Sequence, residues 1–234
     1  SNVQWRVLVP VRPDGTGKSR LRGATTDAAL HADLVRAIQR DALAAVVEAR
    51  ELASAGSHDI RISGIHVVTS QVTSPITSQV TSQVTSQLAT GFAPGIEVMA
   101  DAGGGLNSAL SAAHAELGRR YPADRVLAMV ADLPSLRAEE LLAVLQEAVS
   151  VSRGFVADHS GHGTTMLTSS VAGHLDPRFG PESAARHRES GAVELKAGPG
   201  ASNDVDTADD LKRCLQLGVG ASTAGMVAHL QPLT

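Results

Sequence analysis

Three aspartates and one lysine are the side chains of this sequence best suited to phosphate and metal chemistry. Asp132 ends an apolar run, and Asp204 and Asp206 stand two positions apart before a predicted helix. Lys18 lies in a basic loop that contains two glycines. Mg²⁺ takes one or two carboxylates from a protein and fills its remaining positions with phosphate oxygens and water. The pattern therefore predicts divalent-metal nucleotide chemistry.

Asp132 owes its position to residues 125–135, an apolar run that ends in Asp-Leu-Pro-Ser. The run predicts a central strand that is buried on both faces, with Asp132 at its carboxyl end and Pro134 stopping it. Ligands of open α/β sheets bind outside the carboxyl ends of the strands, so Asp132 would face the ligand. The alternative is that Asp132 only caps the helix expected over residues 139–149, and its position alone does not separate the two.

The basic loop covers residues 12–21 and directly follows the first predicted strand, residues 3–11. Its two glycines and three basic side chains favour a site where backbone N–H groups and cations hold a polyphosphate. It is not a Walker A loop, because Arg12 stands where that motif requires its first glycine. A solvated turn is the alternative for such a composition.

The remaining pattern alternates strands and helices. We expect a helix over residues 27–53, strands over residues 60–69, 95–100 and 155–158, and a helix opened by Asn107 or Ser108 after three consecutive glycines. Ser135 is expected to open the helix over residues 139–149. This order predicts an α/β fold, a single three-layer α/β/α domain over residues 1–234 with a mostly parallel central sheet.

Residues 68–91 are a run of four-residue repeats of the type Val-Thr-Ser-Gln. The spacing of the aliphatic positions favours a short exposed helix, and a low-complexity insertion at about residues 69–90 is an equal alternative. No chemistry is assigned to it.

Composition excludes several function classes. The chain has 234 residues, 43% of them hydrophobic, and a formal net charge of −4, which does not fit a nucleic-acid-binding protein. Only 2% of residues are aromatic, so platforms for base stacking are not expected. Cys214 is the single cysteine and suits a reducing compartment. Without an apolar run of about eighteen residues or a signal-peptide pattern, we expect a cytoplasmic protein with no membrane or nucleic-acid partner.

The second half of the sequence adds a polar group of its own. Ser183 stands near a predicted helix start with Arg186 and His187 one turn on, so a phosphate or carboxylate could be held there by positive charge. His159 and His162 match no metal-binding spacing. Capping alone would explain one or two of the acids in residues 203–211, whereas Asp204 and Asp206 suggest more than a cap.

Together these motifs resemble the nucleotidyltransferases of the glycosyltransferase-A-like, nucleotide-diphospho-sugar transferase-like fold. The resemblance is strongest to the phosphoenolpyruvate/2-phospho-L-lactate guanylyltransferases of coenzyme F-420 biosynthesis, in particular their actinobacterial members. It extends over nearly the whole chain and rests on Val9-Pro10-Val11, Lys18-Ser-Arg-Leu21, Gly105-Leu-Asn-Ser-Ala-Leu110, Asp132-Leu-Pro134, Gly163-Thr164, Phe179-Gly-Pro-Glu-Ser183, Ala185-Arg-His187 and Asp204-Val-Asp-Thr207.

The resemblance assigns a role to each of these positions. It implies that GTP is bound by Pro10, Val11, Lys18, Asp101, Gly105 and Asn107. It implies that Mg²⁺ is held by Asp132, Asp204 and Asp206, with Lys18 and Asp132 catalytic. It implies that phosphoenolpyruvate is bound by Thr164, Gly180 and Ser183. The implied reaction is attack of the acceptor's phosphate oxygen on the α-phosphorus of GTP with release of pyrophosphate, for which no general base is needed.

Three alternatives stay open at this point. The acceptor could be 2-phospho-L-lactate, or the enzyme could be another nucleotidyltransferase of the same fold acting on a sugar phosphate or a molybdopterin. A nucleotide-binding regulatory protein without turnover is the non-enzyme alternative, although such a protein has no need of metal-binding aspartates. A homodimer is left open.

Overall fold

The computed structural model describes residues 2–12, 18–25, 27–56, 58–69 and 95–230. A seven-stranded sheet with the order β3-β2-β1-β4-β6-β5-β7 forms its centre. The strands are β1 Val3–Pro10, β2 Ile60–Thr69, β3 Ile96–Ala100, β4 Arg125–Met129, β5 Arg153–Ala157, β6 Thr164–Ser169 and β7 Val193–Glu194. All neighbouring pairs are parallel except those of β6, which runs antiparallel to both β4 and β5.

Helices cover both faces of this sheet. The described helices are α1 Ala28–Ala55, α2 Leu106–Arg120, α3 Ala138–Ala148, α4 Ser183–Glu189, α5 Pro199–Ser202, α6 Ala208–Leu217 and α7 Ala221–Val227, preceded by a 3₁₀ helix at Ser19–Ala24. Within the described part of the chain, none of them has both the length and the apolar character needed to cross a membrane.

The core is divided by the sheet into two apolar layers. On one face Trp5, Leu43 and Leu127 belong to a cluster that includes residues of α1 and α3. On the other face Leu8 and Leu110 belong to a cluster that includes residues of α2 and α4. Each fully buried side chain of this size contributes roughly 1.5 to 3 kcal/mol of transfer free energy. The predicted three-layer α/β architecture with a mostly parallel sheet is confirmed.

A third, smaller cluster lies beside the carboxyl edge of the sheet. It joins Leu21 of the 3₁₀ helix to Leu34 and Ile38 of α1 and to Leu211 of α6. Leu21 is fully buried there. The cluster anchors the segment that follows Lys18 between two helices, and so holds the start of that segment close to the sheet.

Several element boundaries differ from the predictions. Strand β4 ends at Met129, three residues before Asp132. Helix α2 begins at Leu106 after Gly105, whose φ of 90° suits glycine, so Asn107 and Ser108 do not cap it. Helix α3 is opened by Arg137, and Ser135 instead donates to the Cys214 carbonyl over 3.1 Å. The repeats of residues 70–94 lie outside the described residues.

The reversed strand β6 matters for the site. Because β6 is antiparallel to β4, its first residue, Thr164, lies at the sheet edge where β4 ends. The Val130 N–H extends this pairing by donating to the Thr165 carbonyl over 2.9 Å. Thr164 is therefore brought to the edge that also carries Asp132.

Candidate active site

Asp132, Asp204 and Asp206 converge at the carboxyl edge of the sheet. One carboxylate oxygen from each lies within 4.8 Å of the other two. The backbone holds them together, since the Val205 N–H donates to the Asp132 carbonyl over 3.0 Å. The predicted grouping of these three residues, which are distant in sequence, is what the fold produces.

None of these carboxylates is needed as a helix cap. Helix α3 has Arg137 as its cap residue, and α6 is capped by Thr207, whose hydroxyl accepts from the Asp210 N–H over 3.2 Å. The Asp210 carboxylate in turn accepts from the Thr207 N–H over 2.9 Å. The capping alternative for Asp132 is therefore wrong, and the acids of the triad are free for other partners.

Lys18 supplies the positive charge at the centre of the triad. Its ammonium group bonds the carboxylates of Asp132 and Asp206. Its backbone has a φ of 54°, a left-handed conformation that residues other than glycine rarely adopt. Burial by itself would lower the pKa of Lys18, but the charges of Asp132 and Asp206 outweigh it and raise the pKa, so Lys18 is a cation at neutral pH.

The carboxylates still exceed the cations at this point of the structure. Besides Lys18, the guanidinium of Arg20 approaches Asp206 only to 3.7 Å and is largely exposed. Burial, together with the charges of Asp132 and Asp206, raises the pKa of Asp204 to about 7. Both causes, burial first and repulsion second, disfavour the ionised form of Asp204 and would be relieved by a further positive charge.

The donor set fits a divalent hard cation. All three residues offer carboxylate oxygens, the ligands that Mg²⁺ and Mn²⁺ prefer. The Oδ1 atom of Asp132 is buried and has no hydrogen-bond partner among the described residues, which would be costly unless a ligand completes it. Of the described residues, only these three form a group of at least three potential ligands close enough to share one metal ion.

A cleft of about 580 Å³ opens beside the triad and is large enough for a nucleotide. Of the residues expected to bind GTP, those that line it are Pro10, Val11, Lys18, Asp101 and Gly105. Arg12 and Arg20 add positive charge to its walls. The cleft thus leads from the glycine-containing loop before α2 to the aspartate triad.

Sequence reasoning missed the apolar wall of this cleft. Val35 and Ile38 of α1 line it, together with Leu106, whose side chain is 40% exposed. Ile38 is also a buried member of the third apolar cluster, so its residue type does not distinguish a cleft residue from a core residue. A leucine directly after three glycines was the signal available for Leu106.

Asn107 differs from the other predicted GTP ligands because its side chain is already bonded. Its carbonyl oxygen accepts from the Phe179 N–H over 2.8 Å, and its amide nitrogen donates to the Phe179 carbonyl over 3.0 Å. These two bonds tie the start of α2 to the turn that precedes α4. A role of Asn107 in nucleotide binding stays a prediction.

The residues expected to bind the acceptor lie together on that turn and on β6. Thr164 and Ser183 are both buried, and the Ala184 N–H donates to the His162 carbonyl over 3.0 Å, which joins the two segments. Within the described residues the Ser183 hydroxyl makes no hydrogen bond, and the helix cap position is taken by Glu182. Gly180 has a φ of 120°, and a Cβ there would lie 3.1 Å from the Arg186 guanidinium.

The charge of this region comes from Arg186 and not from His187. Burial, and then the charges of Arg153 and Arg186, lower the pKa of His187 to about 4, so the predicted positive charge on His187 is wrong. Arg186 donates only a long bond of 3.4 Å to the Phe179 carbonyl, its Nε is buried without a partner, and it forms no ion pair with any described residue. One uncompensated cation therefore borders Gly180.

The two histidines before β6 make no metal site within the described residues. His159 lies 3.9 Å from Asp204, and its Nε2 atom accepts a 2.8 Å hydrogen bond from the Arg213 guanidinium. His162 is exposed and pairs with Glu182 at 3.2 Å. His159 instead links Asp204 of the triad to Arg213 of α6.

Comparisons with known proteins identify relatives of this chain by sequence. No family model matches the chain. A protein of Streptomyces coelicolor named phosphoenolpyruvate guanylyltransferase is 39% identical over 231 residues, covering 97% of this chain and 98% of the relative. One of the same name from Streptomyces avermitilis is 40% identical over 232 residues, covering 97% and 96%.

A solved structure supports the fold. It is described as a nucleotide-diphospho-sugar transferase of Desulfovibrio desulfuricans G20 and matches with a TM-score of 0.68 at 16% identity, covering 96% of each chain. At that identity the match shows the fold alone, and it agrees with the predicted fold type. Because the two sequence relatives match over nearly their whole length, the chain belongs to the phosphoenolpyruvate guanylyltransferase family.

Proposed function

We propose that this chain transfers GMP from GTP to phosphoenolpyruvate, releasing pyrophosphate and giving enolpyruvyl-diphospho-guanosine for coenzyme F-420 biosynthesis. The observation that carries the proposal is the meeting of two sites at one sheet edge. The nucleotide-sized cleft ends at Asp132 and Lys18. Uncommitted donors on Ser183 and Arg186 lie on the segment that is joined to Thr164 at the same edge.

Each group has a definite task in this reaction. Asp132, Asp204 and Asp206 would hold a divalent cation, expected to be Mg²⁺, which when bound neutralises charge on the phosphates. Lys18, together with the arginines of the cleft, would contact the polyphosphate and stabilise the charge that develops on pyrophosphate. Gly105 has no side chain to obstruct the approach of a ligand to the backbone.

The acceptor brings its own nucleophile. An oxygen of its phosphate bonds to the α-phosphorus of GTP while the bond from that phosphorus to the bridging oxygen breaks and pyrophosphate leaves. The attacking oxygen is already an anion, so no side chain has to remove a proton. The work of the protein is to align the two phosphates and to screen their mutual repulsion. Arg186 is suited to this because no described carboxylate neutralises it.

The test is pyrophosphate release, measured with GTP or ATP against phosphoenolpyruvate, 2-phospho-L-lactate and a sugar 1-phosphate. We expect turnover with GTP and phosphoenolpyruvate, loss of turnover in EDTA and recovery with Mg²⁺. Equal use of ATP would refute the nucleotide assignment, and preference for 2-phospho-L-lactate would change the acceptor only. No pyrophosphate with either three-carbon acid, from a folded and metal-supplied protein, would refute the proposed function.

A further inference from the structure

His187 is completely buried and lies between two aromatic rings. Its ring centroid is 5.9 Å from that of Phe155 and 5.4 Å from that of Phe179, the second in an edge-on arrangement. This slot leaves the ring little freedom to rotate. Both of its nitrogens have polar neighbours, so their hydrogen-bonding roles can be worked out.

The backbone fixes which nitrogen carries the proton. The Arg178 N–H lies 2.9 Å from Nε2 of His187, and since an amide N–H can only donate, Nε2 must accept. In a neutral imidazole the proton is then on Nδ1. The lowered pKa of His187 agrees with this neutral form.

The proton on Nδ1 in turn fixes Thr164. Nδ1 lies 2.9 Å from the Thr164 hydroxyl oxygen, so that oxygen accepts the bond and its own hydrogen must point elsewhere. Among the described residues no other group bonds this hydroxyl. Thr164 is left with a hydroxyl hydrogen that has no acceptor among the described residues, at the sheet edge where the phosphate or carboxylate of phosphoenolpyruvate is expected.

We propose that His187 is a positioning residue that turns the Thr164 hydroxyl into a fixed hydrogen-bond donor to the anionic acceptor. This inference rests on the proposed function. An unconstrained hydroxyl can rotate and can present a lone pair to an anion, which is repulsive. The bond from His187 removes that option and prepares the donor before the acceptor arrives, which lowers the cost of binding.

Substitution of His187 by asparagine or by glutamine tests the roles of its two ring nitrogens separately. The amide nitrogen of His187→Asn can replace Nδ1 and keep the donor to Thr164, whereas the amide oxygen of His187→Gln can replace Nε2 and keep the acceptor for Arg178. We expect His187→Gln to raise the KM for phosphoenolpyruvate about tenfold at saturating GTP, with kcat and the KM for GTP nearly unchanged. His187→Asn should recover much of the loss.

Substitutions of Thr164 provide a second test, which does not depend on how well the buried position of His187 accepts another side chain. Thr164→Val lacks the hydroxyl, so adding His187→Gln to it should not raise the KM for phosphoenolpyruvate further. Thr164→Ser keeps a hydroxyl, so adding His187→Gln to it should raise that KM again. His114→Gln is the matched control, because His114 contacts the Ser169 hydroxyl at 2.9 Å at the other end of the same strand. It should leave acceptor KM unchanged.

The outcomes are distinct. The inference would be overturned if the rises in KM for phosphoenolpyruvate caused by Thr164→Val and His187→Gln were additive. It would also be overturned if His187→Asn and His187→Gln raised this KM equally and in proportion to their loss of melting temperature. Either result would show that His187 only supports the fold. A wild-type protein that does not use phosphoenolpyruvate would instead overturn the proposed function.

Discussion

Ser183 and Ser190 lie at opposite ends of helix α4 and allow a crossed experiment on the acceptor site. Ser183 is 1% exposed, yet its hydroxyl has no partner among the described residues. The Ser190 hydroxyl donates to the His187 carbonyl over 2.8 Å and accepts from Arg153 over 3.1 Å. The same substitution to alanine therefore removes no hydrogen bond to a described residue at Ser183 and two at Ser190.

The expected effects have opposite patterns. Ser183→Ala should change the free energy of unfolding by less than about 0.5 kcal/mol, because no protein bond is lost. If its hydroxyl binds the anionic acceptor, the lost bond is worth about 1.5 to 3 kcal/mol, which corresponds to a roughly ten- to hundredfold rise in acceptor KM. Ser190→Ala should lower stability by about 1 to 3 kcal/mol and leave the acceptor KM close to wild type.

Three measurements decide the matter. Urea unfolding gives stability, initial rates of pyrophosphate release give the KM for phosphoenolpyruvate, and calorimetric titration gives the affinity for GTP. GTP affinity should be unchanged in both variants. If Ser183→Ala lost stability as Ser190→Ala does and kept its acceptor KM, or lost GTP and acceptor affinity equally, Ser183 would be a structural residue and the acceptor assignment would be wrong.

Three further predictions concern the triad, the link between the two halves of the site, and pH. Asp132→Asn should lower turnover by more than about a thousandfold and keep the fold, because the change removes one charge from a crowded triad. The control is Asp209→Asn, which changes an exposed acid at the start of α6. Near-normal pyrophosphate release from the Asp132 variant would contradict the metal assignment. Asn107→Ala should raise the KM for phosphoenolpyruvate and lower stability, because both atoms of its amide are bonded to Phe179; a change confined to the KM for GTP would instead support nucleotide binding by Asn107. Because the pKa of His187 is lowered from 6.5 to about 4, the folded state resists its protonation, so the stability it contributes is complete above pH 6.5 and is lost as pH falls towards 4. By pH 5 the loss is about 2 kcal/mol, and urea unfolding of wild type and of His187→Asn at pH 7 and pH 5 should show a smaller decrease in the variant.

Much of the fold could be predicted from local pattern. The apolar runs of β1, β2 and β4 and the periodicity of α1 indicate their elements directly, and Asp27 caps α1 as its residue type suggests, accepting from Ala29 and Leu30. These signals depend on neighbours in sequence. The meeting of Asp132 with Asp204 and Asp206 was predicted because the carboxyl edge of a parallel sheet collects such residues, and because the motifs resemble those of a family.

The rest depended on contacts between segments far apart in the chain. Nothing local to Asn107 indicates that its amide bonds Phe179, and the helix cap position went to Gly105 as a result of the glycine turn. The charge of His187 depends on burial by Phe155 and on Arg153, neither of which is near it in sequence. Lys18 was predicted to hold phosphates, and its bonds to two acids of the triad follow only from the packing of the 3₁₀ helix.

The position of Lys18 has a consequence for the order in which ligands bind. An ammonium group that already bonds two of the three carboxylates competes with any metal ion that arrives alone. A nucleotide changes this balance, because its phosphates offer Lys18 a new partner and offer the metal additional oxygen ligands. Metal and nucleotide should therefore bind as one unit, and titration of the protein with Mg²⁺ alone should give a much weaker response than titration in the presence of GTP.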